Sequence, residues 1–162
     1  MRISQRLTLC AAGILIGLTS CDTSVPVQSA ATVSADKHER LRNQTVGKKM
    51  KVIIGSKTYA ATLDDNPAAA KLEAMLPLTL DMSELNGNEK YHHLPTRLPT
   101  DAANPGTIQA GDLMLWGSDS LVLFYETFRT TYSYTRLGRI DDPSGLAAAV
   151  GSGSVTVKFE PD

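Results

Sequence analysis

The sequence predicts a mainly β domain with about eight strands and two short helices. Short runs of β-forming residues alternate along the chain with turns rich in glycine, asparagine and proline. Leu121–Tyr125 is apolar at every position, which is typical of a strand buried on both faces or of a strand in a closed barrel. Two proline-led segments indicate the helices. A chain of 162 residues has room for one such domain and its extensions.

The first predicted elements are a hairpin and a helix. Met50–Ile54 and Lys57–Leu63 are separated by Gly55-Ser56, a two-residue loop typical of a tight hairpin. Asn66 is placed to cap a helix, and Pro67 suits its first position. We therefore expect two paired strands followed by a short helix.

The remaining elements follow the same signals. Further strands are predicted at Leu78–Met82, Lys90–Leu94, Asp112–Trp116, Leu121–Tyr125, Thr130–Ile140 (with a break near Gly138) and Ser154–Glu160. A second helix is predicted at Leu146–Val150. The acidic pairs Asp64-Asp65 and Asp141-Asp142 each precede a proline-led helix, so we interpret them as capping groups rather than a catalytic carboxylate pair.

Three segments resemble landmarks of the cyclophilin fold. Gly111–Gly117 resembles the stretch that runs from a glycine through a central strand to another glycine, and Leu121–Tyr125 resembles the aromatic strand after it. Leu137–Ile140, followed by Asp-Pro and a helix, resembles the closing Phe-Gly-Arg-Val and second helix. The resemblance covers Met50–Glu160, is closest to small bacterial cyclophilin-like proteins, and implies a closed eight-stranded β-barrel with two short helices.

The resemblance carries over the fold better than the activity. Cyclophilin isomerases have a catalytic arginine five residues before a Phe-Met-Gln segment, and a later tryptophan and histidine in the proline pocket. The matching stretch Leu78–Leu94 has neither the arginine nor the Phe-Met-Gln, and no histidine follows His93. We therefore expect a domain that binds a peptide or small ligand without turnover, with peptidyl-prolyl isomerisation as the alternative and a purely structural envelope protein as a third reading.

The amino terminus is typical of an export signal. Arg2 and Arg6 precede the uncharged run Leu7–Leu18, which is too short to span a bilayer as a helix. Leu18–Cys21 then resembles the lipobox of bacterial lipoproteins, in which the cysteine is acylated and becomes the first residue of the mature chain. An ordinary signal peptide that happens to abut a cysteine is the alternative.

These observations divide the chain into a lipoprotein signal peptide at 1–20, a flexible tether at 21–49 and a barrel domain at 50–162. The lipobox predicts anchoring to the cell membrane through acylated Cys21, on the extracytoplasmic face, since two or three acyl chains bind a bilayer stably. Asp22 resembles a signal for retention in the inner membrane. The basic residues that end the tether either contact anionic lipid or belong to a solvated linker.

An aromatic row is the candidate ligand site. Tyr132, Tyr134 and Arg136 recur with the period of two that places side chains on one face of a strand. With Trp116 and Phe124 they form a candidate groove, in which tyrosines stack on the ligand and arginine donates to a carbonyl or carboxylate. The alternative is that the tyrosines line the core and Arg136 emerges at the barrel rim.

Composition excludes several other functions. A net charge of −1 gives no nucleic-acid signature, and both cysteines lie in the first 21 residues, so a cysteine zinc site in the domain is excluded. His92 and His93 are neighbours on a predicted strand and should point to opposite faces, which disfavours a metal site. We therefore expect no metal and no cofactor, and the oligomeric state is left open.

Overall fold

A computed structural model describes residues 47–162 of the chain. The predicted signal peptide (1–20), Cys21 and most of the predicted tether (21–46) lie outside the described residues. No helix within 47–162 combines the length and the apolar character needed to span a bilayer.

The domain is a closed, antiparallel eight-stranded barrel, as predicted. Its elements are β1 (Lys49–Ile54), β2 (Lys57–Leu63), α1 (Pro67–Glu73), β3 (Leu78–Leu85), β4 (Glu89–His93), β5 (Thr107–Ile108), β6 (Asp112–Trp116), β7 (Ser120–Phe124), β8 (Phe128–Arg129), β9 (Thr135–Ile140), α2 (Leu146–Val150) and β10 (Val155–Pro161). Around the barrel the strands follow the order β1, β10, β3, β4, β7, β6, β9 and β2. The short strands β5 and β8 form a separate two-stranded ribbon.

The barrel interior holds the main hydrophobic core. Alternate residues of β1 and β2 point inward, so Met50, Val52 and Ile54 are buried. Leu72 of α1 and Leu146 of α2 join the same cluster, which shows that both helices pack on the barrel through their apolar faces.

The first hairpin and the first helix are confirmed. Ile54 pairs with Lys57 across the two-residue loop, and the side chain of Asn66 accepts a hydrogen bond of 2.9 Å from the backbone N–H of Ala69. Lys49 already belongs to β1, and the carbonyl of Lys48 accepts a hydrogen bond from Leu63, so ordered pairing begins slightly before Met50.

The capping role predicted for the acidic pairs is wrong. Asn66 caps α1, whereas Asp64 accepts a hydrogen bond from Arg136 at 3.2 Å. The second helix begins after Gly145 with no side-chain cap. Asp141 instead accepts hydrogen bonds from Lys49 and Thr62 on the two neighbouring strands. Asp64 and Asp141 therefore form ion pairs across the sheet, while Asp142 accepts a local hydrogen bond of 3.0 Å from the backbone N–H of Ser144.

The extended stretch predicted at Thr130–Ile140 is only partly a strand, because β9 begins at Thr135. The break near Gly138 is a bulge: Leu113 pairs with Gly138 and Met114 pairs with Arg136, which leaves Leu137 without a partner on β6. A Cβ at position 138 would lie 2.4 Å from the carbonyl oxygen of Thr62, so the neighbouring strand requires glycine there.

Candidate ligand-binding cleft

The neighbouring strands β6 and β7 bury apolar side chains on both of their faces. On β7, Leu121 and Leu123 belong to the interior core, whereas Val122 and Phe124 belong to a second cluster outside the barrel. The ring of Phe124 lies 5.5 Å from that of Tyr134. This apolar strand was predicted to be buried on both sides or to belong to a closed barrel, and both predictions are confirmed. The second cluster covers its outer face.

A cleft of about 850 Å³ lies on this outer face. Three alternate residues of β4 line it, namely Glu89, Tyr91 and His93, and they lie opposite Phe124, Val122 and Ser120 of β7. The segment 128–132 and Tyr134 form the facing wall. The volume of the cleft lies within the range of small-molecule and cofactor sites.

Exposed apolar surface is concentrated at this cleft. The large hydrophobic side chains that are exposed among residues 47–162 are Leu85 (41%), Trp116 (53%) and Tyr132 (66%), and all three line the cleft. Because a contiguous exposed apolar patch is unfavourable in water, its concentration around one concave site points to a ligand or partner there.

Glu89 brings a buried carboxyl group to the same cleft. The residue is only 7% exposed, and among the described residues its carboxyl makes no hydrogen bond or ion pair. Burial, together with the nearby negative charge of Glu84, raises the pKa of Glu89 to about 7. A group that titrates near neutrality therefore lines the cleft.

The next residue along β4 faces the other way and is fully paired. Lys90 is completely buried, and its ammonium donates hydrogen bonds to the carboxylate of Glu84 and to the carbonyls of Gly151 and Gly153, the last two at 2.8 and 2.6 Å. Tyr125 donates to both oxygens of Glu84 at 2.9 Å. Burial acts to raise the pKa of Glu84, but the hydrogen bonds from Lys90 and Tyr125 outweigh it and hold that pKa below its ordinary value.

Comparison with known proteins identifies the barrel. Residues 52–160, which are most of the chain, match the cyclophilin-like family. The chain belongs to the cyclophilin-like family. A solution structure of a hypothetical protein from Archaeoglobus fulgidus has the same fold, with a TM-score of 0.50 and 16% sequence identity over 72% of this chain and 96% of that one. The comparison with curated proteins found no match.

The cyclophilin-like barrel brings together three of the five residues of the candidate groove. Trp116, Tyr132 and Tyr134 line the cleft. Phe124 is fully buried beneath it and supports Tyr134. Arg136 lies instead in a neighbouring hollow of about 440 Å³, where its half-exposed side chain pairs with Asp64; Tyr134 lines both cavities.

The cleft residues of β4 were missed by sequence reasoning. The strand predicted at Lys90–Leu94 lies one residue away from β4, and no ligand role was given to Glu89 or Tyr91. The signal was present, since Glu89, Tyr91 and His93 alternate on one face of the strand. What the sequence could not show is that this face lies under the segment 128–132.

The two histidines of the cyclophilin-like domain contact different groups, as their positions on a strand predicted. His92 donates to the carbonyl of Asp81 at 2.9 Å, while His93 lies 2.9 Å from the hydroxyl of Ser120. Residues 47–162 contain no cluster of three or more histidine, cysteine, aspartate or glutamate residues placed to hold a metal ion.

Proposed function

We propose that this chain is a membrane-anchored extracytoplasmic lipoprotein whose cyclophilin-like domain binds an extended peptide or small ligand in the outer cleft without turnover. The observation that carries the proposal is the gathering of Leu85, Trp116 and Tyr132, all exposed, around one concave site. Burying such side chains against a ligand provides the hydrophobic driving force for binding.

The cleft suits an extended ligand with apolar groups. Tyr91, Phe128 and Tyr134 offer partly or largely buried ring surface, while Ser120 and His93 supply polar contacts near one another. Aromatic rings stack on prolines and other rings, and a few polar groups orient the ligand.

Binding is tested by titrating the full chain in detergent with capped, extended hexapeptides that contain or lack proline. We expect peptides that bind the unmodified chain to bind Trp116→Ala and Tyr132→Ala at least about tenfold more weakly. Arg136→Ala is the control, because Arg136 lies in the neighbouring hollow, and it should bind as the unmodified chain does. Equal binding by all four proteins would contradict a site in the outer cleft.

Turnover is tested on the same preparation with a protease-coupled assay of proline isomerisation. We expect no acceleration over the uncatalysed rate. An acceleration that disappears in Trp116→Ala would favour the alternative, an extracytoplasmic peptidyl-prolyl isomerase. Neither binding nor turnover would favour a structural envelope protein.

Membrane anchoring rests on Cys21, which follows the apolar run at the amino terminus. We expect Cys21→Ser to move the chain out of the membrane fraction or to leave an uncleaved precursor, as judged by fractionation and gel mobility. Cys10→Ser is the matched control, because Cys10 lies within the apolar run and should leave anchoring unchanged. A Cys21→Ser chain that fractionates and migrates like the unmodified one would show that the lipobox is not used.

A further inference from the structure

The cleft contains a carboxyl group that has no hydrogen-bond donor among the described residues. Five polar or charged residues are buried among residues 47–162, and the side chains of four of them make a hydrogen bond to backbone or side-chain atoms. Glu89 is the exception. Glu89 lines the cleft, and its oxygens keep some contact with solvent there, since they are not among the fully buried side-chain atoms without a partner.

A carboxylate that is largely buried and has no donor is unfavourable, since it has lost part of its hydration without a replacement hydrogen bond. In the barrel interior of this same chain, the comparable carboxylate of Glu84 receives hydrogen bonds from Lys90 and Tyr125. Nothing within the described residues does the same for Glu89, although it lies at an open cleft that a ligand can enter.

The surroundings of the Glu89 carboxyl group also suit a positive charge. Tyr91, Phe128 and Tyr134 present aromatic rings to the cleft, and the face of an aromatic ring attracts cations. Among the described residues, the lysine and arginine side chains that line the cleft number one, Arg129. It makes no ion pair with Glu89.

We propose that the ligand of this cleft carries a cationic nitrogen, an ammonium or a guanidinium next to an apolar group, which donates hydrogen bonds to Glu89. This inference rests on the proposed function, because it names the chemistry that the cleft selects. The cation is supplied either by a lysine or arginine side chain of an extended peptide or by a small amine.

The inference is tested with two matched pairs of probes on the full chain in detergent. The peptide pair is the capped tripeptide Phe-Lys-Ala and its analogue with uncharged norleucine in place of lysine. The small-molecule pair is 2-phenylethylamine and 2-phenylethanol. Dissociation constants are measured for the unmodified chain, for Glu89→Gln and for the control Glu126→Gln, an exposed acid that does not line the cleft.

In the unmodified chain and in Glu126→Gln we expect at least one charged probe to bind about tenfold or more tightly than its neutral partner near pH 8. In Glu89→Gln that preference should fall to about one. The pair that shows the preference identifies the source of the cation as peptide or small amine.

The preference should also shrink as the pH is lowered through about 7, the pKa of Glu89. The other titratable or charged groups around Glu89 are Glu84 of β3, Tyr125, Tyr134 and, in the same cleft, His93 and Arg129. In the Glu89→Gln variant, which lacks the carboxyl group, this pH dependence of the preference should disappear.

Each failure has a distinct meaning. Equal binding of the charged and neutral probes, or a preference that survives in Glu89→Gln, would overturn this inference and leave the cleft as a binding site. Failure of all four probes to bind would count against the proposed binding function itself.

Discussion

Replacing Lys90 with methionine is expected to lower the free energy of unfolding by about 3–5 kcal/mol. Methionine fills a similar volume, but it removes all three hydrogen bonds that the buried ammonium donates. The carboxylate of Glu84 then loses its cation, and the carbonyls of Gly151 and Gly153 lose a donor. Removing one member of a buried ion pair leaves the other uncompensated, which costs more than the net value of the pair. The measurement is urea unfolding at neutral pH.

Lys158→Met is the matched control, because Lys158 is an exposed lysine on β10. A change of less than about 0.5 kcal/mol is expected there. Suppose that Lys90→Met lowered the free energy of unfolding as little as Lys158→Met. The ion pair of Lys90 with Glu84 would then add no stability beyond what the packed methionine side chain supplies.

Replacing Glu89 with glutamine should have the opposite sign, raising the free energy of unfolding near pH 8 by about 1–3 kcal/mol. The pKa of Glu89 is about 7 in the folded chain against an ordinary value of 4.5, so the folded state holds this proton more tightly than the unfolded state. As the pH rises from about 4.5 to about 7, the unmodified chain therefore loses stability, because the unfolded state ionises first. Glutamine does not ionise. We expect a smaller gain in stability than the pKa difference alone would give, because water in the cleft can reach the carboxyl group.

The gain should shrink below about 1 kcal/mol near pH 5, where the acid is still protonated in the folded chain. Urea unfolding of both proteins at the two pH values measures the difference, with Glu126→Gln as the control that should show no such pH dependence. A destabilised Glu89→Gln at pH 8 would mean that the ionised carboxylate has a favourable partner in the folded state.

Local sequence predicted those parts of the fold that local chemistry determines. A two-residue Gly-Ser loop fixes the first hairpin, and Asn66 with Pro67 fixes the start of α1. The strand β7 was identified because both of its faces are buried and Leu121–Phe124 are all apolar. The ribbon of β5 and β8 was missed because each strand has two residues, too few for a periodic pattern.

The site was predicted less completely, for a physical reason. Tyr132 and Tyr134 were selected because aromatic residues cluster there, and both do line the cleft. Arg136 followed them in the pattern, but Asp64 pairs with it in the neighbouring hollow. Glu89 alternates with Tyr91 and His93 on its strand, but its importance comes from burial and from the absence of a partner among the described residues. Both of these depend on segments distant in sequence.

The position of β10 has a consequence for the order in which the barrel can form. This strand lies between β1 and β3, pairing with five residues of each. Until residues 155–161 have been synthesised, both β1 and β3 have an unpaired edge, and the wall of the barrel remains open. Closure is therefore a late, long-range event that joins the beginning of the domain to its end. An incomplete chain is left with two exposed edges that invite pairing with other chains.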